Sequence, residues 1–504
     1  MPPAPQRSDV NRGVAWIGLA SALVGILDFA AILIILKFWL SPTDYGIATK
    51  ALWIFPILDL ATDLGLSAAV IQRDDHDDAK ISTVFWLNLS SAALLFGLLV
   101  ILAPLAATHL YGHKVVGYML IAYGSKLLWQ NVYFIPIALM RRELRFKELS
   151  IIRIFANIAE FAGKVGFAAA GFGVWCFVLG PLCRVVVTGV GAQLRHPWRP
   201  KLVLRLRDAK DYASFGLKTS GSQMLFHFYT NIDYPIVGYY FGDAALGVYR
   251  VAYEIALEPV RVISHVIVDI AFPTFAKLRY AKDKLIAQFL SFTRLNLITV
   301  MTYSALVLVA APDFIAVFFP KYQAAEEAVR ILCVVAVLRA VSYVVPPLLD
   351  GTGYPSRTVV YTATAAIALP ISYIVGARLL GDQVGFVSVA WAWAVGYPIA
   401  FAVLAWMALG VLDLPLRAYL GAIVSVTACV ALGALAGWGV HLAIAARTGA
   451  GLTLLATTIT IVGVTGLALA YGLGLSPRTA MRALKDEQPV PVSTDAEPPA
   501  AAPG

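Results

Sequence analysis

Charge is scarce in this chain. Asp, Glu, Lys and Arg supply 14% of its 504 residues, 60% are hydrophobic, and the mean hydropathy is +0.77. An ordinary soluble domain carries about 25% charged residues, so that class is excluded. Cysteine is equally sparse. Cys176, Cys183, Cys333 and Cys429 form no C-x-x-C pair and sit near no histidine cluster, which excludes a disulfide framework or a zinc knuckle and leaves them as small core residues. No phosphate-binding loop occurs either. The nearest string, Ile158 to Val165, has Gly163 and Lys164 but lacks the leading glycine and the following Ser or Thr, so ATP-driven export by this chain alone is not expected. No small-residue cleavage site follows the first apolar segment, which is too long for a signal-peptide core and reads as a mature helix.

What the chain does have is apolar runs of membrane-crossing length along nearly its whole extent. Fourteen are expected, at 13–38, 46–72, 79–107, 114–139, 148–171, 173–194, 212–241, 245–274, 286–310, 325–350, 356–379, 384–410, 416–443 and 450–475. With the N-terminus placed inside, most of the 39 Lys and Arg fall in tails and inner loops, among them Arg141, Arg142, Arg145, Lys147, Arg195, Arg199, Lys201, Lys277 and Lys284. The outer loops hold Lys37, Lys114, Lys321, Arg378 and Arg447. This asymmetry obeys the positive-inside rule, places both termini in the cytoplasm, and makes the net charge of +9 topological rather than a nucleic-acid signal.

The halves resemble each other at an offset of about 200 residues. Gly13 to Gln72 and Phe215 to Lys277 each run helix, short outer turn, helix, with Asp28 or Asp233 in the first span. Gly46 and Gly247 occupy matching turns, and Pro56, Asp59 and Asp63 correspond to Pro259, Glu254 and Glu258. The expected fold is therefore an all-α polytopic membrane protein with two six-helix lobes in parallel repeat, plus two C-terminal helices. The boundaries are an N-terminal tail at 1–12, a first lobe at 13–194, a linker at 195–211, a second lobe at 212–410, the appended pair at 411–475 and a disordered tail at 476–504. The linker reads either as a membrane-surface helix or as an ordinary interlobe connection.

Between Gly247 and Phe275 a single span carries Arg250, Glu254, Glu258, Arg261, His265 and Asp269 within an arc of roughly 100°. Facing lipid, Glu254, Glu258 and Arg261 alone would cost roughly 8–10 kcal/mol. The stripe must face a hydrated cavity or neutralise itself, Arg250 with Glu254 and Glu258 with Arg261. Other mid-span cations are Lys126, Lys164, Arg184, Lys218 and Arg339. Lys218 opens a face continued by Ser222, Tyr229 and Asp233. Lys164 follows Glu160 by one turn and reads as its partner, whereas Arg184 and Lys126 read equally as cavity cations or as partners for Asp28, Asp59 or Asp63. Asp59 and Asp63, one turn apart, are the candidates for a shared proton or a sodium ion, with Asp233, Glu254, Glu258 and Asp28 as further coupling or charge-balancing groups. The acidic run Asp74, Asp75, Asp77 and Asp78 reads as a solvated inner turn.

Four segments carry a family resemblance: VIQRDDHDDAKISTVFWLNL from Val70, ALMRRELRFKEL from Ala138, NIDYPIVGYYFGDAALGVYRVAYEIALEPVRVI from Asn231, and FPKYQAAEEAVRIL from Phe319. The chain resembles bacterial polysaccharide exporters of the Wzx type, in the colanic-acid-exporter-like branch of the multidrug/oligosaccharidyl-lipid/polysaccharide (MOP) superfamily. That resemblance implies a flippase of the inner membrane carrying an undecaprenyl-diphosphate-linked oligosaccharide by alternating access, without an organic or metal cofactor, with ion coupling open, and with a polymerase and a chain-length regulator as partners. A basic cavity of Arg261, Arg250, Lys218, Arg339, Arg184 and Lys126, with Tyr229, would then receive the anionic cargo. The alternatives are a drug or cation antiporter of the same superfamily, which should prefer an anionic or apolar cavity, and a membrane glycan polymerase or ligase, which usually needs a larger extramembrane region.

Overall fold

The computed structural model describes residues 7–63, 78–109, 112–203 and 224–473, the side chains of 7–22, 61–63 and 473 excepted. Lys218, the Asp63 side chain, linker residues 204–211, most of the acidic turn and the tail beyond 473 lie outside that set. The described residues are all helical or irregular, with no strand, and eight helices are long and apolar enough to cross a membrane. The chain is a multi-pass helical membrane protein.

The first group comprises α1 (Arg7–Phe38), α2 (Pro42–Leu52), α3 (Phe55–Asp63), α4 (Asp78–His109), α5 (Lys114–Gly124), α6 (Lys126–Trp129), α7 (Asn131–Arg142), α8 (Phe146–Ala169) and α9 (Cys176–Arg195). Helical residues 224–231 lead into the second, made of α10 (Asp233–Ala256), α11 (Glu258–Leu278), α12 (Lys282–Phe318), α13 (Glu326–Gly351), α14 (Pro355–Val384) and α15 (Val387–Leu412). The last two helices, α16 (Leu416–Ile444) and α17 (Ala450–Leu473), pack on each other and dock against α12. Gly433 and Gly437 let that pair close, since they face Thr465 and Ile461 with no room for a side chain.

Two breaks in the helices follow directly from the sequence. Pro56 has no N–H to give and would strike the carbonyl four residues back, so the segment after Leu52 restarts at Phe55 with the proline in its first turn. Pro259 does the same in the second half, restarting α11 one residue after α10 ends; Leu257 between them has φ −109° and ψ −32°. The charged stripe consequently does not ride one straight helix, as the sequence pattern alone suggests. Arg250 and Glu254 belong to α10, whereas Glu258, Arg261, His265 and Asp269 belong to α11. Within α10 the backbone also turns at Gly242, whose φ of 82° is open to glycine at little cost. That turn falls between the expected spans at 212–241 and 245–274, of which residues 212–223 lie outside the described set.

Linker residues 196–203 are irregular rather than helical. Trp198 packs on Phe85 at 5.6 Å, and the Lys201 backbone N–H donates to Ser82 at 3.0 Å, fastening this stretch to the start of α4. At the neighbouring basic loop Arg145 donates to Glu148 at 2.6 and 2.8 Å.

Candidate functional site

At one end of the bundle the first and second helix groups, called lobes below, are sealed together. A capping box between Ser41 and Asp44, with Pro42 in the first turn, starts α2 and so places Gly46 one turn inside it. Here α2 crosses α10 so closely that a Cβ on Gly46 would overlap the Asp243 carbonyl, and one on Gly247 would overlap the Pro42 carbonyl. The two glycines that match in the repeat therefore meet across the lobe interface. Around them Lys50 pairs with Asp243, whose other oxygen faces His113 Nε2 at 2.5 Å. Lys37 Nζ donates to the Val317 carbonyl at 2.8 Å at the end of α12, and Lys321 Nζ donates to the Phe38 and Leu40 carbonyls at 3.2 and 3.4 Å at the end of α1. Each lysine thus satisfies carbonyls that a helix C-terminus leaves over, on the opposite lobe. Sequence reading singled out the glycines but not Lys50, Asp243 or His113 as a set, because nothing local relates residues so far apart in the chain.

Deeper in the first lobe lie two acid–base clusters. Lys126, 3% exposed, donates to both Asp59 oxygens at 2.8 and 2.7 Å, and Tyr123, stacked on Phe55 at 3.6 Å, donates to the same carboxylate at 3.0 Å. The helical segments α5, α6 and α7 are interrupted at Ser125 and Gln130, and Lys126 enters the lobe between those interruptions. In the second cluster Glu160 of α8 holds Lys164 at 2.8 Å and Arg184 of α9 at 2.9 Å, while Lys164 also reaches Asp28 of α1 at 3.5 Å. Gly180 makes this possible: a Cβ there would overlap the Lys164 side chain, so α8 and α9 approach closely enough for Arg184 to meet Glu160. Lys126 thus takes Asp59, one of the partners the sequence left open, whereas Arg184 takes Glu160, which was expected to serve Lys164 alone.

In the second lobe Arg250 and Glu254 form an ion pair buried at the lobe interface, with Tyr45 Oη 3.5 Å from Glu254 and the guanidinium 4.6 Å from the Tyr234 ring centre. Glu258 accepts from Arg261 at 2.7 Å, but the Arg261 side chain is 50% exposed. The stripe thus divides into a buried, self-neutralised half and a half open to its surroundings. Asp233 is fully buried, with no cation within ion-pair distance among the described residues, and accepts from Tyr249 Oη at 2.8 Å, Trp393 Nε1 at 3.0 Å and the Tyr234 N–H at 3.1 Å. Tyr229 and Arg339 line a common cavity with Tyr343, Tyr361 and Tyr397. This ring of tyrosines leaves no periodic trace in the sequence, since its members come from separate helices. Among the described residues no cluster of three or more His, Cys, Asp or Glu could hold a metal, and the four cysteines are free.

The arrangement is a polar interior sealed at one end. The family described as polysaccharide biosynthesis protein matches residues 35–325. The teichuronic acid biosynthesis protein TuaB of Bacillus subtilis (strain 168) is 28% identical over 401 residues, which cover 76% of this chain and 79% of TuaB. The lipopolysaccharide biosynthesis protein WzxC of Escherichia coli (strain K12) is 25% identical over 353 residues, 68% of this chain and 70% of WzxC. The fold is that of the lipid II flippase MurJ solved in an inward closed conformation, with a TM-score of 0.71 at 13% identity over 92% of this chain and 99% of that one.

Proposed function

The chain belongs to the polysaccharide biosynthesis protein family, and from that premise we propose that it carries an undecaprenyl-diphosphate-linked oligosaccharide across the bacterial inner membrane. It is a transporter and not an enzyme. The observation that carries the cargo assignment is the half-exposed Arg261, held by Glu258 at the start of α11, a helix that also carries His265 and Asp269. A cation kept accessible at that depth suits an anionic headgroup, whereas a drug or cation antiporter would be served better by free carboxylates. Fourteen spans with both tails in the cytoplasm put the sealed end, with Gly46, Gly247 and Asp243, on the periplasmic side. The polar interior then loads from the cytoplasmic leaflet, and the polyprenyl tail stays in lipid. A glycan polymerase and a chain-length regulator would receive the product.

In proteoliposomes containing the purified chain, a polyprenyl-diphosphate oligosaccharide should move between leaflets, and Arg261→Ala should slow it by about 10- to 100-fold, the loss of hydrogen bonds to a charged group. Arg261→Lys keeps the charge without the planar fork and should fall between. If the Arg261→Ala protein accumulates normally and transports at the wild-type rate, the cargo assignment is wrong.

Ion coupling belongs in this reading at Asp59, whose 33% exposed side chain faces Lys126, with Asp63, Asp28, Asp233, Glu254 and Glu258 as the remaining carboxylates. An ion can bias the lobes only if it binds one state better than the other. Transport should therefore respond to an imposed pH or sodium gradient, and Asp59→Asn should remove that response. An unchanged gradient dependence in Asp59→Asn would move the coupling site to another of these carboxylates.

A further inference from the structure

Helix α12 does not end as one straight rod. Pro312 has no N–H to give the Leu308 carbonyl, and just before it Ala310 leaves helical geometry at φ −101° and ψ 19°. Residues 311–318 are thereby set off as a piece of about two turns, too short to hold a direction without tertiary support. This piece and the turn after it carry much of the seal. The Val317 carbonyl accepts from Lys37 of α1 at 2.8 Å. In the turn Pro320–Ala325, Lys321 reaches the Phe38 and Leu40 carbonyls at 3.2 and 3.4 Å, and the fully buried Tyr322 meets the Tyr45 ring edge-on at 6.5 Å. The direction of the α12 end therefore decides whether these groups meet the first lobe.

What holds that end is the appended helix pair. Asp313, directly after the break, faces His441 of α16 with Oδ2 3.1 Å from Nδ1, and the two side chains are only 14% and 15% exposed. Asp313 and Val317 are one helical turn apart, so a grip on the first is transmitted to the second. Behind His441, α16 is backed by α17 through the close approach at Gly433 and Gly437. No other charge competes for the pair among the described residues. Helix α17 brings no charged side chain anywhere along Ala450–Leu473, Arg447 in the turn before it is exposed, and at the start of α13 Glu327 is exposed while Glu326 is taken by Arg330 at 2.9 Å. Lys37 and Lys321 are committed to the carbonyls of the seal. A buried carboxylate with a single partner depends on it, because losing that partner leaves the charge uncompensated.

We propose that His441 is a positioning residue for the transport cycle: through Asp313 it holds the broken end of α12 against the first lobe, so that α16 and α17 brace the seal and the brace responds to pH. Histidine changes charge between about pH 5 and 8. With the imidazole protonated and Asp313 ionised the contact is an ion pair. As pH rises through the imidazole titration the cation is lost and the grip weakens, so the brace is stronger at the acidic end of that range. The proposal rests on the carrier reading only for its effect on transport, since the contact itself involves no cargo.

The seal is read by the initial rate at which a bifunctional maleimide joins Lys37→Cys to Val317→Cys in the detergent-solubilised full chain without cargo. Thiol reactivity and His113 at the glycine crossing also respond to pH, so the quantity compared is the rate with His441 divided by the rate with His441→Gln, in which both effects cancel. This ratio should be about 5-fold or more at about pH 6 and approach one at about pH 8. Asp313→Asn should match His441→Gln at both pH values, and His441→Lys, whose charge is fixed over this range, should keep the acid-side rate at both. A ratio near one throughout overturns the proposal, and so does a raised ratio that does not change with pH, which marks a contact that merely fills space. Should His441→Gln and Asp313→Asn fail to accumulate, His441→Lys must crosslink faster than wild type on the alkaline side and equally on the acid side; equal rates at both overturn the proposal. In proteoliposomes His441→Gln should move the polyprenyl-diphosphate oligosaccharide more slowly than wild type at about pH 6 and converge with it at about pH 8. Slower transport with no pH-dependent crosslinking ratio overturns the brace. A pH-dependent ratio in a chain that moves no cargo upholds the brace and removes the transport reading.

Discussion

Gly247→Val is expected to cut transport by at least about 10- to 100-fold while leaving the protein in the membrane. A valine side chain at this position would overlap the carbonyl of Pro42, and the obstruction is backbone on both sides, because Gly46 faces Asp243 in the same crossing. Overpacking costs about 1–3 kcal/mol where neighbouring side chains can adjust, and more where they cannot. The cost falls on the sealed conformation alone, since the crossing exists only when the lobes meet there. Moving a two-state equilibrium from 1:99 to 99:1 takes about 5.5 kcal/mol, so even part of that penalty depletes the sealed state severely. A carrier that cannot reach one of its two states does not cycle. The check is a crosslink made by a bifunctional maleimide between Lys37→Cys and Val317→Cys, a reagent that spans the gap now bridged by the lysine side chain, whose Nζ lies 2.8 Å from the Val317 carbonyl. It should form readily in an otherwise unaltered chain and poorly with Gly247→Val. Undiminished crosslinking and transport would show that the glycine crossing does not control closure.

Removing the Glu160 carboxylate should produce the largest loss of stability. This carboxylate, 4% exposed, neutralises Lys164 at 2.8 Å and Arg184 at 2.9 Å. Breaking a buried pair by deleting one partner costs about 3–5 kcal/mol, because the other charge is left without compensation. Glu160→Ala should therefore unfold at clearly lower temperature in detergent, with some relief from the contact of Lys164 with Asp28 at 3.5 Å. Glu160→Gln keeps volume and one acceptor and should lose less. Combining Glu160→Ala with Arg184→Leu should recover part of the loss, since the orphaned cation is then also gone. Equal melting temperatures for Glu160→Ala and wild type would mean that water already serves both cations.

Several features of the site were legible because their signals are local. Pro56 and Pro259 were legible as matching mid-span prolines, but the spans around them were expected to be continuous, and the structure restarts a helix at each. Lys164 and Glu160 are one turn apart, so their pairing needs nothing beyond helix geometry. Arg250 with Glu254 and Arg261 with Glu258 are likewise close in sequence. By contrast, Lys126 with Asp59 and Arg184 with Glu160 required knowing which helices are neighbours. The same holds for Lys50 and His113 around Asp243, and for the tyrosines about Arg339.

The sequence by itself determined that this is a multi-pass helical membrane protein and which side chains are too costly to face lipid. Those properties follow from composition and from the transfer cost of charge, each a matter of a residue and its near neighbours. Tertiary structure alone decided which of the costly groups neutralise one another and which remain available. It buried Arg250 against Glu254, left Arg261 half exposed, and enclosed Arg339 beyond ion-pair distance of any carboxylate among the described residues. Helical periodicity says that a charge must turn away from lipid, but several directions satisfy that demand. Only the packing of α10, α11 and α13 against their neighbours selects one of them, because an ion pair forms where two surfaces from distant parts of the chain meet.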